Sequence, residues 1–239
     1  MTDPTVEVGG RAYLFGYMDT GISDATIKVR EFPGLSATTN ELGDYSLRVP
    51  DDADVTPYIL SGEGDLTARP REGQPTVKRY HWNEIDLQTF QTRGEALENV
   101  NFQVPADAEY EALKAVLSVP VGEDGRPAQS AIVTTASARN VRGVDYDTFW
   151  TNTPHGVAGA TAVGQPALPD PIYFNEYVIP DAGRTQTSVD GGIAWTGVPA
   201  GVYRITTSSP NTRFAEFIVT CAPGRIINAN PPWGAYQLD

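Results

Sequence analysis

The chain is poor in the residues that most often carry chemistry or cross-links. It has a single cysteine, Cys221, so no disulfide can form within it. Cys221 follows Phe217 and Val219 at period 2, which makes it a small core residue. Only two histidines occur, His81 and His155, and they are far apart. Asp and Glu are plentiful, but no loop has the D-x-D-x-D-G spacing of a calcium site, and two separated histidines are too few for zinc. No metal and no cofactor is therefore expected. Apolar runs stay short of the roughly 18 residues that a membrane-spanning helix needs. Basic residues are the minority, 17 Lys and Arg against 30 Asp and Glu, and the net charge of −13 disfavours nucleic acids and anionic membranes as partners. The opening MTDPTVEVGG has neither a basic nor an apolar segment, which points to the cytoplasm, with a trimmed secreted protein as the alternative.

Turn formers and short alternating runs are abundant. Gly (23) and Pro (19) are frequent, as many short strands joined by tight turns require. Ala25, Ile27 and Val29 alternate with Thr26, Lys28 and Arg30, and Tyr45, Leu47 and Val49 alternate with Ser46 and Arg48. This period of two marks half-buried strands. Further strands are expected at 58–60, 85–90 and 100–104. PADAEYEALKAVL (105–117) is the one helical pattern, with Asp107 as its cap and Tyr110, Leu113 and Leu117 on one face.

One pattern occurs twice. TTNELGDYSLRV (38–49) and TSVDGGIAWTGVPAGVYRI (187–205) each pass from a Thr-rich strand end through an acidic Gly turn into an aromatic-bearing strand. Upstream, RAYLFGYMDTGISDATIKV (11–29) aligns with KAVLSVPVGEDGRPAQSAIV (114–133) as strand, turn, strand. That alignment restricts the helix to its first turn or two. It also places the excess length of the second copy in one loop, at about 139–184.

The stretch GRPAQSAIV (125–133), with TSVDGG and VPAGVY after it (187–203), resembles the carboxypeptidase regulatory-like domain of the transthyretin-like (prealbumin) group. GISDATIKV (21–29) and the run to Pro50 are a weaker version. The resemblance covers about half of the chain and implies an all-β protein made of two transthyretin-like (Ig-like) β-sandwich units. The divisions expected are 1–75 for the first unit, 76–105 for connecting strands packed on one of the units, and 106–239 for the second unit with its insertion. A sandwich of this group implies no particular activity. Three relatives of known chemistry do not match. The C-terminus GAYQLD lacks the Tyr-Arg-Gly-Ser ending of hydroxyisourate hydrolases, and the histidines lack the close spacing of intradiol dioxygenases. Lys28, the candidate for an adhesin-type isopeptide, falls out of phase with the apolar residues of its strand.

The insertion holds Phe149, Trp150, Tyr173, Phe174 and Tyr177, more aromatic residues than a solvated linker carries. Long loops in compact domains are commonly functional. A site is therefore expected there. His155, in TPHGVAGATA, would be the acid/base, with Asp170 or Glu176 orienting it and Tyr173 as proton donor. Trp150, Asn175, Tyr177 and Trp233 would line the ligand. Asp190 in SVDGG reads as a turn former. These residues support a small-molecule-binding protein, with cofactor-free hydrolase or lyase/isomerase chemistry if it is an enzyme. A homo-oligomer remains open. The alternative is a non-catalytic structural or protein-interaction module, since the same residues can serve packing alone.

Overall fold

The computed structural model describes residues 4–15, 17–60, 85–138 and 156–238. It is nearly all β and divides into two compact units, Met1–Ala115 and Val116–Asp239. His81, His155, Phe149 and Trp150 lie outside the described residues.

The first unit runs β1 (Thr5–Leu14), β2 (Tyr17–Gly21), β3 (Thr26–Val29), β4 (Ser36–Thr38), β5 (Asp44–Pro50), β6 (Asp54–Val55), β7 (Pro57–Leu60), β8 (Ile85–Asp86), β9 (Phe90–Gln91), β10 (Phe102–Val104) and α1 (Asp107–Val116). β1 is central in one sheet. It is antiparallel to β5 from Thr5↔Pro50 to Arg11↔Asp44, antiparallel to β2, and parallel to β10 from Ala12↔Phe102 to Leu14↔Val104. The second sheet runs β8–β7–β3–β4, all antiparallel. Strands β8 and β10 come from the stretch expected to connect the units, and both pair within the first unit. Tyr45, Leu47 and Val49 of β5 are buried while Ser46 and Arg48 are exposed, as alternation demands. Burying an apolar side chain of this size contributes about 1.5–3 kcal/mol, so three on one face determine which way the strand faces. Where β3 ends, Arg30 forms a two-point ion pair with the fully buried Asp86 at 2.6 and 3.0 Å. Its guanidinium lies 3.6 Å from the centre of the Tyr58 ring.

Helix α1 continues through Val116, beyond the turn or two expected. Ala106 is its N-cap: its carbonyl accepts the first helical bond from the Tyr110 N–H (2.9 Å). The Glu109 carboxylate reaches back to accept the Ala106 N–H (2.9 Å), half of a capping box, and this differs from the expected capping by Asp107. The segment therefore cannot be a strand repeating β1.

The second unit runs β11 (Ser130–Thr135), β12 (Thr161–Gln165), β13 (Ile172–Phe174), β14 (Pro180–Asp181), β15 (Gly192–Val198), β16 (Gly201–Ser209), β17 (Thr212–Arg213), β18 (Phe217–Cys221) and β19 (Ile226–Ala229). Within this unit one sheet is ordered β14–β13–β15–β11–β19, with β11 and β19 parallel. The other places β16 between β12 and β18. Ile132, Tyr173, Ile193, Trp195, Ile205 and Phe217 are among the residues that fill the space between the sheets. On the opposite face of the first sheet, Leu117, Phe174 and Ala194 form a smaller apolar cluster.

The hydrogen bonds re-align the repeat. Thr39 Oγ1 accepts the Ala25 N–H (2.9 Å) and donates to the Ile22 carbonyl (2.6 Å). Thr187 Oγ1 accepts the Ala160 N–H (2.8 Å) and donates to the Val157 carbonyl (2.6 Å). The Ala12 N–H donates to Gly43 O and the Ala136 N–H to Gly191 O, both at 2.9 Å. Gly43 and Gly191 hold φ of 82° and 78°, the left-handed region that favours glycine. A side chain at either would meet a backbone oxygen, that of Ala12 or of Ala136. GISDAT (21–26) thus corresponds to GVAGAT (156–161), and β3 corresponds to β12. By pairing, β11 is the counterpart of β1: each is antiparallel to the strand after the Gly turn and parallel to a late strand. The extra length of the second unit is therefore two stretches, Ala136 to Gly156 against Ala12 to Gly21, and Ala160 to Thr187 against Ala25 to Thr39.

Candidate functional site

The expected site residues of the described part, Trp233 apart, lie in or beside the β13–β14 hairpin, in the second of the added stretches. β13 pairs with β15 through Ile172↔Ala194 and Tyr173↔Ile193 and so extends the first sheet of this unit. β14 pairs with β13 and lies outermost.

Asn175 holds the turn between them. Its side-chain oxygen accepts the Tyr177 and Ile179 N–H groups at 2.9 and 3.1 Å, and its own N–H donates to the Ile179 carbonyl at 2.8 Å. These bonds let Val178 hold φ = 62°. Asn175 was expected to line a ligand; its carboxamide oxygen instead accepts from the backbone of its own turn. Tyr177, expected beside it in a pocket, is 74% exposed, with Val178 and Ile179 also exposed at the hairpin tip. Glu176 is exposed and lies 4.0 Å from the Arg184 guanidinium, a long surface pair of little energetic weight.

Tyr173 points into the inter-sheet core and is buried. Its phenol oxygen accepts the Ala162 N–H at 3.1 Å. Burial raises its pKa, the negative charge of Asp170 adds to the rise, and the bond from Ala162 opposes it. The phenol is therefore held neutral. Its oxygen serves as an acceptor for the backbone rather than facing solvent as a proton donor. Asp170 itself is exposed.

Trp233 is buried, and its backbone N–H donates to the Asn230 carbonyl at 3.0 Å in the Pro-Pro turn. The chain after it folds back as expected. The Ser137 N–H bonds Ala235 O (2.9 Å), and the Ala215 N–H bonds Tyr236 O (2.8 Å). Trp233 does not join Tyr173 in the inter-sheet core. Its expected companion Trp150, like the central His155, lies outside the described residues.

Asp190 behaves as the turn former read from the sequence. Its carboxylate accepts the Gly192 N–H at 3.0 Å, while partial burial raises its pKa against that bond. No group of three or more His, Cys, Asp or Glu able to hold a metal occurs among the described residues. No helix among them is long and apolar enough to cross a membrane. The structurally decisive residues that the sequence reading passed over are Thr39 and Thr187. The signal that points to them is the repeated T-x-x-x-G, Thr39 to Gly43 and Thr187 to Gly191, and the G-[IV]-x-x-A-T upstream supplies the amides they bond.

No protein-family model matches the chain, and no curated protein does. Solved structures superpose only loosely. The Bacillus anthracis TIE protein is 13% identical with a TM-score of 0.31; the match covers 95% of this chain but 33% of that one. The minor pilin GBS52 of Streptococcus agalactiae is 11% identical with a TM-score of 0.28, over 98% of this chain and 97% of that one. The shaft pilin spaA of Lactobacillus rhamnosus GG (D295N mutant) is 10% identical with a TM-score of 0.27, over 99% of both chains.

Proposed function

We propose that this chain is a non-catalytic tandem of β-sandwich units, a structural or protein-interaction module. The observation that carries this reading is where the aromatic insertion puts its polar groups. The Tyr173 phenol accepts an amide of β12, and the Pro169 carbonyl accepts the indole N–H of Trp195, a β15 residue outside the insertion, at 3.0 Å. Asn175 is occupied by its own turn. An aromatic-rich insertion had suggested a site because a purely structural tandem had no evident use for one. Closing the second sandwich is such a use.

The reading of both units as carboxypeptidase regulatory-like domains draws support from the twice-occurring Thr and Gly positions. Cytoplasmic placement rests on the sequence alone. The competing proposal, a small-molecule site with acid/base chemistry, centres on His155 and Trp150. One experiment separates the two: a thermal-shift screen of wild type and His155→Ala against small metabolites and lipids. The module reading expects no ligand-induced shift and equal midpoints for the two proteins. A compound that raises the wild-type midpoint but not that of the variant would replace the module with a binding site.

A further inference from the structure

At the outer edge of β12 the two units treat their backbone groups differently. In the first unit the equivalent edge is paired: β4 lies on β3 through Thr26↔Thr38, Ile27↔Ala37 and Lys28↔Ser36. In the second unit the chain after β12 crosses to the other sheet, and among the described residues no strand pairs the free edge of β12. Ala162, at the position of Ile27, directs its N–H away from β16 and to the Tyr173 phenol. Gly164, two residues on, shares that direction, because strand residues alternate. Leu168 packs against the side of Gly164 where a side chain would stand.

We infer that Tyr173 is an edge guard, which keeps β12 from pairing with β12 of a second copy of this chain. An unpaired edge is a template for another strand. For identical strands meeting antiparallel about a two-fold axis, Ala162 of one copy would exchange both backbone bonds with Gly164 of the other. Val163 would then face its own equivalent on the axis. Val163 is 64% exposed, and Thr161 and Gln165 beside it are exposed too, so none of these three side chains is covered by the described residues, while Thr187 bonds the Ala160 carbonyl just before them. The phenol occupies one of the outward amides that this pairing would use. This inference goes beyond the module reading and stands without it, since it concerns the edge alone.

The test uses the full chain with Tyr173→Phe and Tyr173→Ala, each alone and combined with Val163→Lys. Tyr173→Phe keeps the ring and removes the acceptor, so hydrogen exchange at the Ala162 amide should accelerate about tenfold. In sedimentation velocity, Tyr173→Ala should form a concentration-dependent dimer absent from wild type. Val163→Lys should return it to the wild-type state by setting two charges against each other on the axis. Unchanged exchange at Ala162 in Tyr173→Phe would overturn the inference, and this readout decides if Tyr173→Ala fails to fold. A folded Tyr173→Ala variant with wild-type mass would overturn it as well. So would a wild-type dimer that Val163→Lys dissociates.

Discussion

In the first unit, the strand after the Ala-Thr pair is covered by a backbone partner, β4; in the second, its counterpart meets a phenol and a leucine side chain. Yet the threonine four residues before the turn glycine makes the same two bonds in both units, to within 0.1 Å (2.9 and 2.6 Å against 2.8 and 2.6 Å). The contrast shows which parts of a sandwich are interchangeable. The Thr knot and the Gly turn sit where backbone meets backbone in a buried space, and one geometry satisfies every group there. A sheet edge requires only that its outward amides be satisfied or shielded. A strand, a hydroxyl or an apolar cover can each do that.

The comparison can be broken most forcibly at the glycines. Gly43→Ala and Gly191→Ala should each cost about 3 kcal/mol or more in urea unfolding, because the added carbon meets a backbone oxygen and the left-handed φ is strained as well. A tolerated substitution in one unit alone would show that the turns are not equivalent. Thr39→Val and Thr187→Val should come next, at about 2–3 kcal/mol each, since both leave a buried N–H and a carbonyl unpaired. Equal losses would support the correspondence, and a difference beyond about 1 kcal/mol would argue against it. Tyr173→Phe should cost about 1–2 kcal/mol, confined to the second unit, with the amide of Ile27 in the first unit exchanging as before.

The smallest effect concerns Asp190, whose place in the first-unit turn is taken by the uncharged Leu42. The folded-state pKa of Asp190 is raised by burial. Its protonated form therefore favours folding at low pH, and that contribution is lost as pH rises through the folded pKa. Asp190→Asn should be within about 1 kcal/mol of wild type at neutral pH, keeping an acceptor for Gly192. Wild type should gain on the variant as pH falls through the carboxylate range. A pH-independent difference would remove the burial argument.

Much of this was visible from residue order. The alternation in β5, the helix around the buried Tyr110, the Gly turns and the fold-back after Trp233 all follow from local periodicity and turn chemistry. The repeat was visible too, but its register was not. SAIV and ATAV are equally good strands to a pattern reader, and only their partners tell them apart. β11 pairs with β15 and β19, whereas β12 pairs with β16. The site expected at Tyr173, Asn175 and Tyr177 shows the same limit. Residue type says that a phenol or a carboxamide can do chemistry, while the neighbours decide whether it is free to. In Tyr173 the neighbour is an amide eleven positions away in sequence but on the opposite sheet.

By itself the sequence determined the class of the protein, the doubling of its unit and the turns where the chain reverses, because each depends on contacts within a few residues. Tertiary structure alone decided that β11 corresponds to β1 and β12 to β3, and that Tyr173 of the insertion turns its phenol to the Ala162 amide. These outcomes depend on which distant backbone groups meet, and pairing between distant strands leaves no fixed spacing in the sequence.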